Sequence, residues 1–257
     1  INIMTKKERG YLTELYYFAL SFFVYGFLGW CTEVAYAAAK QGKFVNRGFL
    51  NGPICPVYGI GVGVVVQFLT PVENNLVLLY ISSTILVTVI EGITGFLLEK
   101  IFHNKWWDYS EQPLNIGGYV CVLFSLIWGV FCVLIVKIIH PLIYKVLTMI
   151  PLVLGIVVMA CLAVGLLADL YVTASGILKM NRRLEAMEKI AAELKELSDK
   201  VGENIYENVM EGMEFREEKK ARIEELKAKY EEMAENRTKV GERLVKAFPK
   251  MQVGQHK

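Results

Sequence analysis

Five apolar runs dominate the first 178 residues, and polar or turn-forming residues separate them. A helix of roughly 20 apolar residues is long enough to cross a bilayer. The pattern therefore predicts an all-α polytopic membrane protein with about five transmembrane helices. The predicted spans are residues 12–39, 53–70, 76–99, 116–139 and 151–178.

The connections between the runs are also informative. The sequence PVENN at residues 71–75 predicts a tight turn that joins the second and third spans into a hairpin. The apolar segment 141–150 is too short to cross and carries Lys145, so it is predicted to lie at the membrane interface.

Charge divides the chain into two predicted regions, a transmembrane domain at 1–178 and a helical tail at 179–257. Between residues 182 and 246 there are seventeen acidic and fifteen basic residues. Such a balance favours exposed helices, paired as a hairpin or coiled coil, that serve as a solvated appendage or as a docking module. Apolar residues recur there at helical spacing: Leu184, Met187, Ala191, Leu194, Val201, Ile205, Ile223, Leu226, Tyr230 and Met233.

Several classes of function do not fit the composition. The net charge of +2 gives no basic field for nucleic acid, and three scattered histidines predict no metal site. Five cysteines without CxxC spacing are predicted to be reduced packing residues. No cofactor is expected. The N-terminal segment precedes a run too long for a signal-peptide core, so we expect it to be retained.

The distribution of Lys and Arg predicts the orientation. In a five-span arrangement, eight basic residues flank one side of the membrane and five flank the other. The richer side is expected to be cytoplasmic. This places the C-terminus and the loops 40–52 and 100–115 inside the cell, in a multi-pass protein of a cytoplasmic (inner) membrane.

The stretch 44–63, FVNRGFLNGPICPVYGIGVG, is unlike a lipid-facing helix, because it is rich in Gly, Asn and Pro and carries Arg47. Irregular backbone at membrane depth is tolerated where protein buries it or where it lines a wet cavity. We therefore predict a folded loop that enters a helix, with Pro53 or Pro56 in the first turn.

Two carboxylates, Glu33 and Glu91, fall in the same predicted half of the bilayer. An ionisable group in hydrocarbon is costly unless it is paired or hydrated. Arg47 follows the first span closely, so we predict a bidentate pair with Glu33, or else with Glu91. Snorkelling to the interface is the alternative for Glu33, and a purely structural ion pair is the alternative for Glu91. For Asp169, near the inner end of the fifth span, snorkelling is the default expectation.

Small residues share helical faces with these carboxylates, and they predict close helix packing. The segment WWDYSEQPLNIGG at 106–118 is predicted to open the fourth span, either as an anion site at a helix N-terminus or as an aromatic belt with an N-cap. The candidate binding residues are Glu33, Asn46, Arg47, Asn51, Tyr58, Glu91, Trp107, Asp108 and Asn115.

A set of motifs carries a family resemblance over about residues 17–140. The motifs are FLGWCTEV, FVNRGFLNGPICPVYGIG, EGITGFLLEK, WDYS and NIGGYVC. Together they resemble the bacterial CmpB-type putative ABC-transporter permease family, which implies a multi-pass transporter component. The chain has neither the EAA-type loop of ordinary importer permeases nor a P-loop GxxxxGK[ST]. A fainter similarity, through Glu91, Asp108, Asn115 and Gly118, links it to VanZ-like membrane proteins.

Three functions remain open from the sequence. The first is transport of a solute through a cytoplasmic-facing polar pocket, with the lipid bilayer, a separate ATP-binding subunit and a homodimer partner as expected neighbours. The homodimer would form through the tail or the small-residue helix faces. The second is an intramembrane enzyme acting on a lipid or lipid-linked substrate, and the third is a membrane accessory or scaffold protein.

Overall fold

The computed structural model describes residues 6–207 and 212–248. The predicted fold class is confirmed, since the described chain is almost entirely helical and carries apolar helices of membrane-crossing length. Residues 1–5, 208–211 and 249–257 lie outside the described residues, and the prediction that the N-terminal segment is retained concerns residues that include 1–5. The helices are α1 (Lys6–Gln41), α2 (Pro56–Leu69), α3 (Leu76–Phe102), α4 (Val122–Leu134), α5 (His140–Thr148), α6 (Leu152–Glu207), α7 (Gly212–Glu235) and α8 (Lys239–Ala247).

Among the described residues, four helical segments are long and apolar enough to span a membrane. They are Leu12–Gln41, Leu76–Phe102, Val122–Thr148 and Leu152–Lys200. The segment Pro56–Val72, which continues α2 through a single 3₁₀ turn, is shorter. Its 17 residues extend about 25 Å, against a hydrocarbon core of about 30 Å. The described residues thus contain four candidate spans of full length and one shorter apolar helix.

The fourth span differs from its prediction at both ends. It begins at Val122 rather than at residue 116, and it runs without interruption to Thr148 through a π-helical turn at Ile135–Ile139. The segment predicted at 141–150 is therefore not separate from the fourth helix but largely continues it, and its position at the membrane interface stays a prediction. Pro141 has no N–H and its ring opposes the carbonyl one turn earlier, and the wider π turn just before it lets the helix continue.

Helices α1 and α2 pack closely along a seam of glycines. Gly29 of α1 faces the ring of Tyr58, and a Cβ built on Gly59 of α2 would lie 2.5 Å from the carbonyl oxygen of Phe22. Larger residues would force the two helices apart at these points. The small-residue faces predicted from the sequence therefore do form helix contacts.

The connections gather at two ends of the bundle. We call the end that carries residues 42–55 and 103–121 the loop end, and the end that carries the turns at 70–75 and 149–151 the turn end. Helix α6 starts at the turn end, passes the loop end and continues to Glu207. Helix α7 runs back along it, with Arg222 Nη2 3.0 Å from Glu193 Oε1.

Helix α8 lies against the loop end of the bundle. Its apolar residues Val240 and Leu244 are buried in a cluster with Ile177 of α6, Phe102 of α3 and Trp106. Gly176 of α6 leaves room for this contact, because a Cβ there would lie 2.8 Å from the Cβ of Val240. Helix α8 of the tail thus packs on α3 and α6.

Candidate functional site

Asn46 organises the loop 42–55. Its Oδ1 accepts a hydrogen bond from Trp30 Nε1 at 2.8 Å and another from the Gly48 backbone N–H at 3.0 Å. Its Nδ2 donates to the Asn51 carbonyl oxygen at 2.8 Å. The loop ends where Pro56 occupies the first turn of α2, one of the two positions expected from the sequence.

Arg47 lies beside Glu33, as predicted. Its Nε is 3.4 Å from Glu33 Oε2, and both side chains are about a quarter exposed. The predicted bidentate fork does not form, because the guanidinium lies over two rings instead, 5.0 Å from the centre of Tyr36 and 5.4 Å from that of Phe248. The second carboxylate oxygen, Glu33 Oε1, accepts a hydrogen bond from the Tyr58 hydroxyl at 2.8 Å.

Glu91 forms a separate pair. Its Oε1 accepts a hydrogen bond from the Tyr109 hydroxyl at 3.1 Å, and its Oε2 is buried without a hydrogen-bond partner in the described chain. The Tyr109 ring stacks on Phe124 at 4.9 Å. Burial raises the pKa of the Tyr109 hydroxyl well above its usual range, and the Glu91 carboxylate raises it further, so this tyrosine stays a hydrogen-bond donor.

Three of the predicted residues support the shape of the loop 103–121. Trp107 Nε1 donates to the Tyr119 carbonyl oxygen at 2.8 Å. Asp108 Oδ1 accepts from the backbone N–H two residues later at 2.9 Å. Asn115 Oδ1 accepts from the Gly118 N–H at 3.1 Å. These hydrogen bonds all lie within the loop, so they fix its shape.

The predicted helix start at Asn115 is wrong. Residues Asn115–Ile116 and Val120–Cys121 pair instead as a two-stranded antiparallel hairpin, β1 and β2, and helix α4 begins only at Val122. Gly117 and Gly118 have φ of 62° and 76°, the left-handed region that glycine enters without strain and that tight hairpin turns require. Asn115 therefore does not present a helix N-terminus to an anion.

Asp169 of α6 is a site residue that the sequence analysis did not select. Its Oδ1 accepts hydrogen bonds from the Asn51 backbone N–H at 3.2 Å, from Asn51 Nδ2 at 2.8 Å and from the Thr173 hydroxyl at 3.1 Å. Its Oδ2 accepts from the Gly52 N–H at 2.6 Å. The expectation of snorkelling is wrong, because the carboxylate satisfies the polar groups of the loop rather than extending to water.

Arg243 of α8 binds the same loop from its other side. Its guanidinium donates to the carbonyl oxygens of Gly48 at 2.7 Å and Phe49 at 2.8 Å, and to Asn51 Oδ1 at 3.1 Å. Burial lowers the pKa of Arg243 from its usual range, while the nearby Asp169 carboxylate opposes that shift. A half-buried guanidinium with several carbonyl partners is a strong positional contact.

The loop 42–55 thus joins two charged groups of residues. One is the Glu33–Arg47–Tyr58 group on α1 and α2, and the other is the Asp169–Asn51–Arg243 group, which connects α6 with α8. The Glu91–Tyr109 pair stands beside them at the loop end of α3. Within residues 6–207 and 212–248, no three His, Cys, Asp or Glu residues are arranged to bind a metal ion.

Comparison with known proteins gives one match. A family model with the description "Putative ABC-transporter type IV" matches residues 20–174, which run from within α1 into α6 and include the loop 42–55 and Asp169. Searches of curated proteins and of solved structures each returned no significant match. The matched segment exceeds half of the 257 residues. The chain is therefore a transport-related membrane protein that belongs to the ABC-transporter type IV family of the CmpB type.

Proposed function

We propose that this chain is the membrane subunit of an ATP-driven transport system and that α8 couples a separate ATP-binding subunit to the loop 42–55. The observation that carries the proposal is the set of hydrogen bonds from Arg243 to the loop carbonyl oxygens. The proposal assigns ATP binding to a separate subunit, as the family description of an ABC transporter suggests.

The contacts supply a continuous route from the tail to the membrane carboxylates. Asn51 binds Arg243 through its Oδ1 and Asp169 through its Nδ2. Four residues earlier on the same short loop, Arg47 lies against Glu33. A partner that displaces α8 therefore changes the positions of both carboxylates, which is the mechanical link that ATP-driven transport needs.

The solute-contacting part of the site is assigned to Glu33, Arg47 and Tyr58, with Glu91 beside them. Both signs of charge and a hydroxyl lie there at membrane depth, where polar groups are costly unless they serve binding or conduction. Asn46, Asn51, Trp107, Asp108 and Asn115 are assigned to holding the two loops in place rather than to solute contact.

The proposal places the loop end and the tail 179–257 on the cytoplasmic side of a bacterial inner membrane, where an ATP-binding subunit is available. The excess of Lys and Arg at the loop end supports this orientation. The tail then forms the cytoplasmic region, and residues 1–178 form the membrane domain.

The test is affinity purification of the full chain from its native membranes, followed by measurement of ATP hydrolysis. We expect a protein with a nucleotide-binding motif to co-purify, and we expect Arg243→Gln to lower the hydrolysis rate of that complex severalfold. The matched control is Arg222→Gln, which removes an exposed arginine of α7. Co-purification with hydrolysis unaffected by Arg243→Gln favours a scaffold, and a chain that purifies without an ATP-binding protein contradicts the proposal.

A further inference from the structure

A cleft of about 130 Å³ opens at the turn end, between α1, α2 and α5. It lies at the opposite end of the bundle from the loop 42–55. Residues Glu14, Tyr17, Ser21 and Tyr25 line it from a single stripe of α1, since they recur every three or four positions. Helix α5 supplies its other wall.

The walls of the cleft are largely aromatic. The rings of Tyr17 and Tyr144 are 5.1 Å apart and tilted by 58°, and those of His140 and Tyr144 are 5.9 Å apart and tilted by 45°. Tyr25 and His140 stack at 6.2 Å, and their hydroxyl and Nδ1 lie 2.9 Å apart. Four rings thus form a continuous chain of contacts that crosses from α1 to α5.

The charge of the cleft has one sign. Glu14 contributes a carboxylate at the end of the aromatic chain, and none of the residues that line the cleft, all of them described, is Lys or Arg. Aromatic faces carry a negative quadrupole and attract cations within about 6 Å of the ring centre, most strongly where water is displaced. A carboxylate beside several rings adds Coulomb attraction to the same ligand.

We propose that this cleft binds a small alkylated ammonium cation, held against the rings of Tyr17 and Tyr144 and balanced by Glu14 one turn from Tyr17. Rings with a single carboxylate fit a weakly hydrated organic cation better than a metal ion, which needs several oxygen ligands. The cation site does not depend on the proposed function, because it concerns binding at the turn end whether or not the chain works with an ATP-binding subunit.

The experiment is calorimetric titration of the full chain in detergent with choline and with dimethylbutanol, its neutral isostere in which carbon replaces nitrogen. We expect choline to bind at least about tenfold more tightly than dimethylbutanol. Glu14→Gln and Tyr144→Leu should each weaken choline binding by about three- to tenfold. Both positions are solvent- or lipid-exposed, so the variants are expected to fold, and thermal unfolding checks this.

Two control variants sharpen the result. Tyr144→Phe keeps the ring and should bind choline within about twofold of the unaltered chain. Glu188→Gln, on the exposed part of α6, should not change binding. Equal affinity for choline and dimethylbutanol, or choline binding that survives both Glu14→Gln and Tyr144→Leu, overturns the proposal.

Discussion

Replacing Asp169 with Asn tests whether a carboxylate on α6 holds the loop 42–55 in place. The change keeps the size of the side chain, but it removes the charge and turns one acceptor oxygen into an NH₂ donor. In the structure both carboxylate oxygens accept from N–H groups of the loop, Oδ1 from Asn51 and Oδ2 from Gly52. In either orientation, the NH₂ group of the new amide therefore faces an N–H group of the loop, so that two donors oppose each other.

The hydrogen bonds of Asp169 determine how much this change should weaken the closed loop. At least one hydrogen bond to a charged acceptor is lost, worth about 1.5–3 kcal/mol, and the remaining bonds become neutral ones. Asp169 is half-buried, so water compensates for part of that loss. We expect the free energy of opening the loop to fall by about 2 kcal/mol, which raises the open population about 30-fold.

Cys55 reports on this opening. It is 5% exposed and lies at the end of the loop. Burial raises the pKa of its thiol from 9.0 to about 12, and the Glu33 carboxylate adds to the increase. Because the thiolate is the reactive form, the closed loop makes Cys55 react slowly with maleimide even at pH 8. Opening of the loop exposes the Cys55 thiol to maleimide and returns its pKa to the usual range.

The assay is maleimide labelling of full chains in which the other four cysteines are replaced by alanine. Asp169→Asn should raise the labelling rate of Cys55 about 30-fold, while Glu188→Gln should leave it unchanged. A rate that rises less than about threefold at equal global stability would refute the role assigned to Asp169.

Three further predictions follow from the packing and the charges. Gly29→Ala places a Cβ against the ring of Tyr58 and should destabilise the bundle by about 1–3 kcal/mol in thermal unfolding. The control Gly165→Ala, whose added Cβ has nothing within 4 Å, should be neutral. Equal effects of the two changes would contradict the close packing of α1 on α2. In a double-mutant cycle, Arg47→Ala and Glu33→Ala should show a coupling of about 1 kcal/mol, and strictly additive losses would show that the pair contributes nothing. A cysteine in place of Lys43 should resist a membrane-impermeant maleimide added to intact cells, and strong labelling would reverse the proposed orientation.

The sequence was sufficient to predict the helices because each span is a long apolar run that hydrocarbon favours on its own. It was also sufficient for the contact of Arg47 with Glu33, since only fourteen positions separate the two and a loop reverses the chain between them. The helix boundaries were predicted wrongly where the backbone preferences of single residues, rather than the apolar pattern, determined the structure. The sequence predicted a helix start near Asn115, but Gly117 and Gly118 form the turn of a hairpin there. It also predicted an end to the fourth span before Pro141, but a π turn lets the helix continue past this residue.

The sequence analysis missed Asp169 and Arg243 for two different reasons. Asp169 contacts Asn51 across a separation of 118 positions, and no local pattern specifies which polar loop a carboxylate will meet. Arg243 is one of fifteen basic residues between positions 182 and 246, so its identity alone did not distinguish it. A usable signal did exist, because Val240, Leu244 and Ala247 form an apolar stripe that predicts a helix with a buried face.

Helix α6 is continuous from Leu152 to Glu207, so a small tilt of the helix produces a large displacement at its far end. Asp169 fastens the helix to the loop, and 38 residues beyond it the described part of α6 ends at Glu207, a distance of about 57 Å at 1.5 Å per residue. A tilt of about 5° around that fastening point displaces the far end by about 5 Å, roughly one helical turn. Conversely, a sideways push of about one turn at the far end moves a residue close to this pivot, such as Thr173 one turn along α6, by only about 0.5 Å and with a correspondingly larger force.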